Sequence, residues 1–299
     1  MKKMILALVL LMVMLAGCSS GPNYKIGITK PLYFQQDKEM PFEIKVTENK
    51  KPVTGLTISA ELSMANMDHG TANVILKEEQ KGLYTGKAKI PMNGKYEIAF
   101  SLKKGDNKVE KVLNYRVEKP KGVASINGKW IKNEDLKFYE LVNKLQLSIN
   151  RAAALKKYSG AELDEELAYL DSQEKTLNDK NQLLTQIIRL HAVAMLAEQK
   201  GKRATSSEIN QALTKVREQY NQNNDAKKLI QQFGEEKFWN TEKQQYKELV
   251  LSQHVQMDLI NQVKKENPKA GEQEIYYQAQ QKYEDLLVSQ IDSLKIEIL

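Results

Sequence analysis

The apolar positions of this chain change their period near residue 120, from roughly two residues to roughly three and a half. Before that point the runs Pro41–Thr47, Leu56–Met64, Asn73–Lys77, Leu83–Ile90, Lys95–Leu102 and Lys108–Val117 show partial in/out alternation, and clusters of Gly, Asn, Asp and Lys separate them. Alternation sends successive side chains to opposite faces of a strand. The stretch 24–119 therefore predicts an all-β domain, a small antiparallel sandwich whose regular strand spacing favours an immunoglobulin-like arrangement over a barrel. Tyr84, Tyr96, Ile98 and Phe100 are its expected core.

Helical spacing governs the rest. It is densest in Asn181–Lys202, where Leu183, Leu184, Ile187, Ile188, His191 and Met195 fall on one helical face. From Leu190 to Ala197 only His191 is polar, so neighbours are expected to cover this helix on several sides, at the centre of a mainly α domain. Gly201 supplies a stop, and Thr205-Ser206-Ser207-Glu208 supplies a cap and first turn for the next helix. Around this centre the pattern predicts helices from Asn133 or Glu134 to Lys157, over Ala161–Lys180, Ser207–Asn221 and Asp225–Phe233, from Glu235 to Glu266, and from about Glu272 to Ser293. Asn267-Pro268 ends the longest of these, because proline cannot continue the ladder. Val123–Ile131 reads as a small hairpin, since Asn127-Gly128 tolerates the two positive φ angles of a type I′ turn. Leu294–Leu299 alternates like a closing strand and is a candidate partner for that hairpin. The polar residues 120–122 form the linker between the two domains, 24–119 and 123–299.

Composition changes this picture little. A chain of 299 residues with 41% hydrophobic content has room for about two cores. The net charge of +7 is spread along helices among acids, which fits a solvated surface, and no nucleic-acid partner is expected.

The front of the chain is more specific. Lys2-Lys3 precede an apolar run, Met4–Ala16, that is too short to span a bilayer and ends in Leu15-Ala16-Gly17-Cys18. This resembles a lipobox. The resemblance implies a signal peptide over 1–17, lipid on Cys18, a polar tether over 18–23, and an extracytoplasmic protein held to the cell membrane by its lipid. An ordinary secretory signal with an incidental Cys18 is the competing reading. Cys18 is the only cysteine, so lipidation would leave the mature chain with no free thiol and exclude disulfides, zinc–thiolate sites and cysteine catalysis.

Candidate chemistry sits in Met64-Ala-Asn-Met67-Asp-His69-Gly70, where a strand is expected to run into a loop. Thioether and imidazole select Cu(I) over Ca²⁺ or Mg²⁺, and Met92 adds a third sulfur if the turns meet. The competing reading makes Met64 core, alternating with Leu62, Ala60 and Ile58, and leaves Met67 and Met92 as caps on the sandwich. The series Met-x-x-Met-x-His-Gly, Gly82-Leu-Tyr84-x-Gly86 and Met92-x-Gly94-x-Tyr96-Glu-Ile98 resembles the YtkA/FixH-like domain over roughly residues 40–103. That resemblance implies a sandwich fold and a link to cytochrome oxidase assembly, hence an oxidase assembly partner and Cu(I). The chain departs from FixH in its lipobox and its large helical extension.

Val123-Ala-Ser-Ile-Asn-Gly-x-x-Ile131, then Leu183-Leu-x-Gln-Ile-Ile188, Ala197-Glu-Gln-Lys-Gly201 and Thr205-Ser-Ser-Glu-Ile209 resemble the N-terminal chaperone domain shared by SurA and PrsA. The resemblance covers 123–299 and implies a holder of unfolded or assembling envelope proteins that requires no cofactor. Those relatives insert a parvulin isomerase before the closing helix, whereas the corresponding connection here is only Asn267–Gly271. No isomerase activity is expected. Phe138, Tyr139, Tyr169, Tyr220, Phe233, Trp239, Tyr276, Tyr277 and Tyr283 are candidates for client contact, with ordinary core as the competing reading for most.

The chain has three histidines. His191 is expected to be a satisfied core residue, and His254 lies on a helix without a ligand pattern. There is no phosphate loop, nucleophile elbow or His-Glu-x-x-His helix, so an enzyme is not expected.

Overall fold

The computed structural model describes residues 22–65, 70–177 and 179–299, and the chain divides into two compact units after Pro120. Cys18, Met67 and His69 lie outside the described residues.

The first unit is antiparallel β. Its strands are β1 (Lys25–Lys30), β2 (Glu39–Glu48), β3 (Lys51–Pro52), β4 (Thr57–Met64), β5 (Thr71–Gln80), β6 (Leu83–Lys89), β7 (Gly94–Lys104) and β8 (Asn107–Val117). They follow the order β1-β2-β6-β5-β4-β7-β8, with β3 beside β2. Strand β5 belongs to both layers: Thr71–Leu76 pairs with β4, while Lys77–Gln80 pairs with β6. The sheet path folds over on itself there, and the inner faces of the layers meet. Phe42 of β2 stacks on Phe100 of β7 with ring centroids 6.2 Å apart. The order matches the two sheets of an immunoglobulin-type sandwich. Alternation drives this burial: Ile58, Ala60 and Leu62 of β4 face inward opposite Leu102, Phe100 and Ile98 of β7. Tyr84, Tyr96, Ile98 and Phe100 are all fully buried, as their spacing predicts. Strand β1 was not among the runs expected from periodicity, since its apolar residues Ile26 and Ile28 are few and only half-buried.

The second unit opens with the hairpin β9 (Ala124–Ile126) and β10 (Lys129–Ile131), turned by Asn127 and Gly128 at φ 49° and 80°. Among the described residues seven helices follow: α1 (Asn133–Lys157), α2 (Ala161–Leu177), α3 (Lys180–Gln199), α4 (Ser206–Asn221), α5 (Asn224–Phe233), α6 (Glu235–Glu266) and α7 (Glu272–Ser293). Strand β11 (Ile296–Ile298) then pairs with β9, so the hairpin becomes a three-stranded sheet.

Helix α3 is central, as its wrap of apolar residues implies. Its first half, Leu183–Ile188, joins the hairpin, α1, α4, α5 and Phe238 in one core; its second half, Ala192–Ala197, joins α6 and α7 in another. Lys202 N–H donates to Ala197 O and Gly201 N–H to Glu198 O, the double bond of a Schellman stop. Thr205 and Glu208 cap α4 reciprocally. One boundary differs from the pattern. Helix α2 ends at Leu177 rather than Lys180, because the Asp179 carboxylate accepts from the N–H groups of Asn181 and Gln182 and starts α3 at Lys180.

Candidate functional site

Two places gather chemistry. The first is a cleft of about 390 Å³ in the helical unit, walled by the hairpin, α1, α3 and α6. Helical spacing builds its walls. Ile187, His191, Ala194, Met195 and Glu198 form one stripe of α3, and Thr241, Gln244, Gln245, Glu248 and Leu251 form one stripe of α6. Trp130 and Ile131 of β10 and Asp135, Phe138 and Tyr139 of α1 complete it. The walls are therefore apolar and adaptable where Met195, Trp130 and Leu251 stand, and rich in amide donors and acceptors along α6.

His191 is not the core residue its apolar neighbours suggest. Its side chain is partly exposed in the cleft wall, and Nδ1 lies 2.5 Å from Glu248 Oε2, joining α3 to α6. A carboxylate only accepts, so Nδ1 carries the hydrogen. One turn away Lys247 Nζ donates to Glu198 across 3.2 Å. Burial first, and then the Glu248 carboxylate, push the Tyr139 phenol well above its ordinary range.

Behind the cleft wall an aromatic nest fills the core. Phe138 lies 5.7 Å from Phe238, Phe238 lies 4.9 Å from Trp239, and Tyr220 and Phe233 flank them. Glu242 is also buried, at 1% exposure, and its Oε2 has no hydrogen-bond partner. Burial pushes this carboxyl up to about 8, and burial first, with Glu242 second, raises Tyr220 and Tyr246. His254 pairs with Glu208 across 2.8 Å. The hydroxyl and N–H of Thr205, and then His254, hold Glu208 down at about 2.

The sequence candidates for client contact separate by exposure. Phe138 and Tyr139 are buried at 2% and 9%, yet both line the cleft. Trp239 is half-buried beneath Arg217. Tyr169, Tyr276 and Tyr277 are 57%, 56% and 65% exposed, outside the cleft lining. Sequence reasoning missed Trp130, Met195, Gln244, Gln245 and Glu248 as one group. The available signal was the Thr241-x-x-Gln244-Gln245-x-x-Glu248 stripe on a long helix, which reads as a solvated face until the hairpin is placed opposite it.

The second place is one end of the sandwich. The register sets Met64 opposite Tyr96, and the Met64 methyl fills the space into which a side chain on Gly94 would project. The Tyr96 hydroxyl donates to Met92 O across 2.8 Å. A tyrosine near the start of this strand that bonds back to the preceding corner is characteristic of immunoglobulin-type sandwiches. Tyr96 thus links the two methionines, standing opposite Met64 and bonding the Met92 carbonyl, while Met67 and His69 lie outside the described residues. Among the described residues no group of three His, Cys, Asp or Glu could hold a metal ion, and no helix is long and apolar enough to cross a membrane.

Residues 21–101 match the YtkA-like family, so the chain carries a YtkA-like domain that begins at the front of the sandwich and ends within β7. No curated protein matches the chain.

Proposed function

We propose that this chain is a lipid-anchored, extracytoplasmic and non-enzymatic holder of unfolded or assembling envelope proteins. In this reading the helical unit is a SurA/PrsA-type binding domain without an isomerase, and the YtkA-like sandwich is an accessory module. The observation that carries the proposal is the cleft. An unfolded segment offers apolar side chains and unpaired backbone groups together, and the cleft offers Trp130, Met195 and Leu251 beside Gln244, Gln245 and Thr241. The connection between α6 and α7, Asn267–Gly271, leaves no room for a catalytic insertion there. The test is suppression of client aggregation at near-equimolar ratio by the non-lipidated chain that begins after Cys18. Met195→Gln, which makes one wall polar, is expected to weaken suppression. Full aggregation in the presence of the unaltered chain would remove the reading.

A second reading is supported by the sandwich end, where Met64 stands opposite Tyr96 and the Tyr96 hydroxyl donates to Met92 O, and by the sequence neighbours Met67 and His69. A thioether-rich donor set suits Cu(I), and copper handling alongside an oxidase assembly partner would use it. Anaerobic Cu(I) titration tests this. Met67→Ala is expected to abolish binding while leaving aggregation suppression unchanged.

A further inference from the structure

We infer that the cleft of the helical unit selects client segments in which an Arg or Lys stands among apolar residues, with Glu248 and Asp135 receiving the cation. This rests on the holder reading and names what is held.

The chain as a whole carries +7, so a cation-selective cleft has to be made locally. The charged groups around it are Asp135, Glu198 and Glu248, set against Lys129, Lys247 and His191. Lys247 is committed to Glu198. His191 is committed to Glu248 through Nδ1–H, which takes one carboxylate oxygen and leaves the other. Lys129 stands exposed on the hairpin, at the rim. Asp135 gives one oxygen to the N–H of Lys132 and keeps the other. Two carboxylates with spare acceptor capacity therefore line the cleft together with Tyr139, whose phenol is raised by burial first and by the negative charge of Glu248 and Asp135 after it.

The rest of the lining suits the stem of such a side chain. Arg and Lys bury their methylenes on apolar surface while the charged head finds an oxygen, and Arg also stacks on aromatic faces. Trp130, Phe138, Ile187, Met195 and Leu251 supply the apolar walls within the same cavity. An acidic side chain in the same place would meet Asp135 and Glu248 at close range in a partly desolvated site, where like charges repel strongly.

The experiment measures fluorescence anisotropy of three labelled peptides against the full chain beginning after Cys18. The peptides share one apolar sequence and differ at a central Arg, Gln or Glu. The Arg peptide is expected to bind about tenfold more tightly than the Glu peptide, with Gln between them. Glu248→Gln, which keeps an acceptor for His191, is expected to shrink that preference, and Asp135→Asn combined with it to abolish the preference. Circular dichroism of both variants checks the fold. Equal binding of all three peptides would overturn cation selection and leave the holder reading standing. A preference that survives in the double variant would also overturn it. Binding of none of the peptides would remove both.

Discussion

The Tyr96 hydroxyl donates to the carbonyl of Met92, four residues behind it, and so ties strand β7 to the turn before it. Tyr96→Phe keeps the ring and removes this bond, and the expected cost is about 1 kcal/mol. Tyr84→Phe should cost more, because that hydroxyl donates to Val53 O and also accepts from Leu56 N–H. Both tryptophans, Trp130 and Trp239, lie in the helical unit. Urea unfolding followed by far-ultraviolet circular dichroism should therefore register both changes, while the tryptophan fluorescence transition stays where it was.

Glu242 predicts the opposite of the usual carboxylate pH dependence. Its folded value, about 8, lies above its ordinary value of 4.5, so it holds a proton in the folded chain that it loses on unfolding. Stability is then full below about 4.5 and declines as pH rises towards 8, by up to about 1.4 kcal/mol per pH unit from this group. Glu242→Gln should flatten that decline, as read from thermal midpoints of tryptophan fluorescence between those limits. A slope unchanged by the substitution would count against burial as the cause.

Glu208 runs the other way. It is held at about 2, below 4.5, so its contribution to anchoring α4 is present above 4.5 and is lost as pH falls towards 2. Thr205→Ala removes the reciprocal cap and should cost about 1 kcal/mol. Hydrogen exchange at the first turn of α4 would report both effects, with faster exchange in the variant at neutral pH and in the unaltered chain in acid.

Cys18→Ser removes the only thiol to which lipid can be attached. The variant is expected to leave the membrane fraction, while the unaltered chain stays in it until detergent is added. A chain that remains membrane-bound after the substitution would argue for another attachment.

Much of the fold was legible because local signals agreed with tertiary demand. Asn127-Gly128 turned the hairpin, Gly201 closed α3, Thr205 and Glu208 capped α4, and the inward alternation of β4 and β7 named the sandwich core. The break before Asp179 was hidden because a capping aspartate within a polar run resembles any other exposed acid. The cleft was hidden for a different reason. His191 is surrounded in sequence by apolar residues, and only the arrival of Glu248, 57 positions later, moves it from the expected core to a wall. At the sandwich end the β4–β7 register sets Met64 opposite Tyr96, a pairing that depends on strand order and so could not be read from the spacing of the methionines.

Strand β9 is sandwiched between β10, which follows it immediately, and β11, which arrives far later in the chain; Lys295 N–H reaches the Asn127 side chain across a separation of 168 positions. A ribosome or translocon delivers those segments in order. The hairpin must therefore wait with one edge bare while every helix of the unit is made, and the unit locks only when residues 296–298 emerge. The helical unit therefore passes through its own synthesis as an unfinished fold, with the outer edge of β9 unpaired until β11 is delivered.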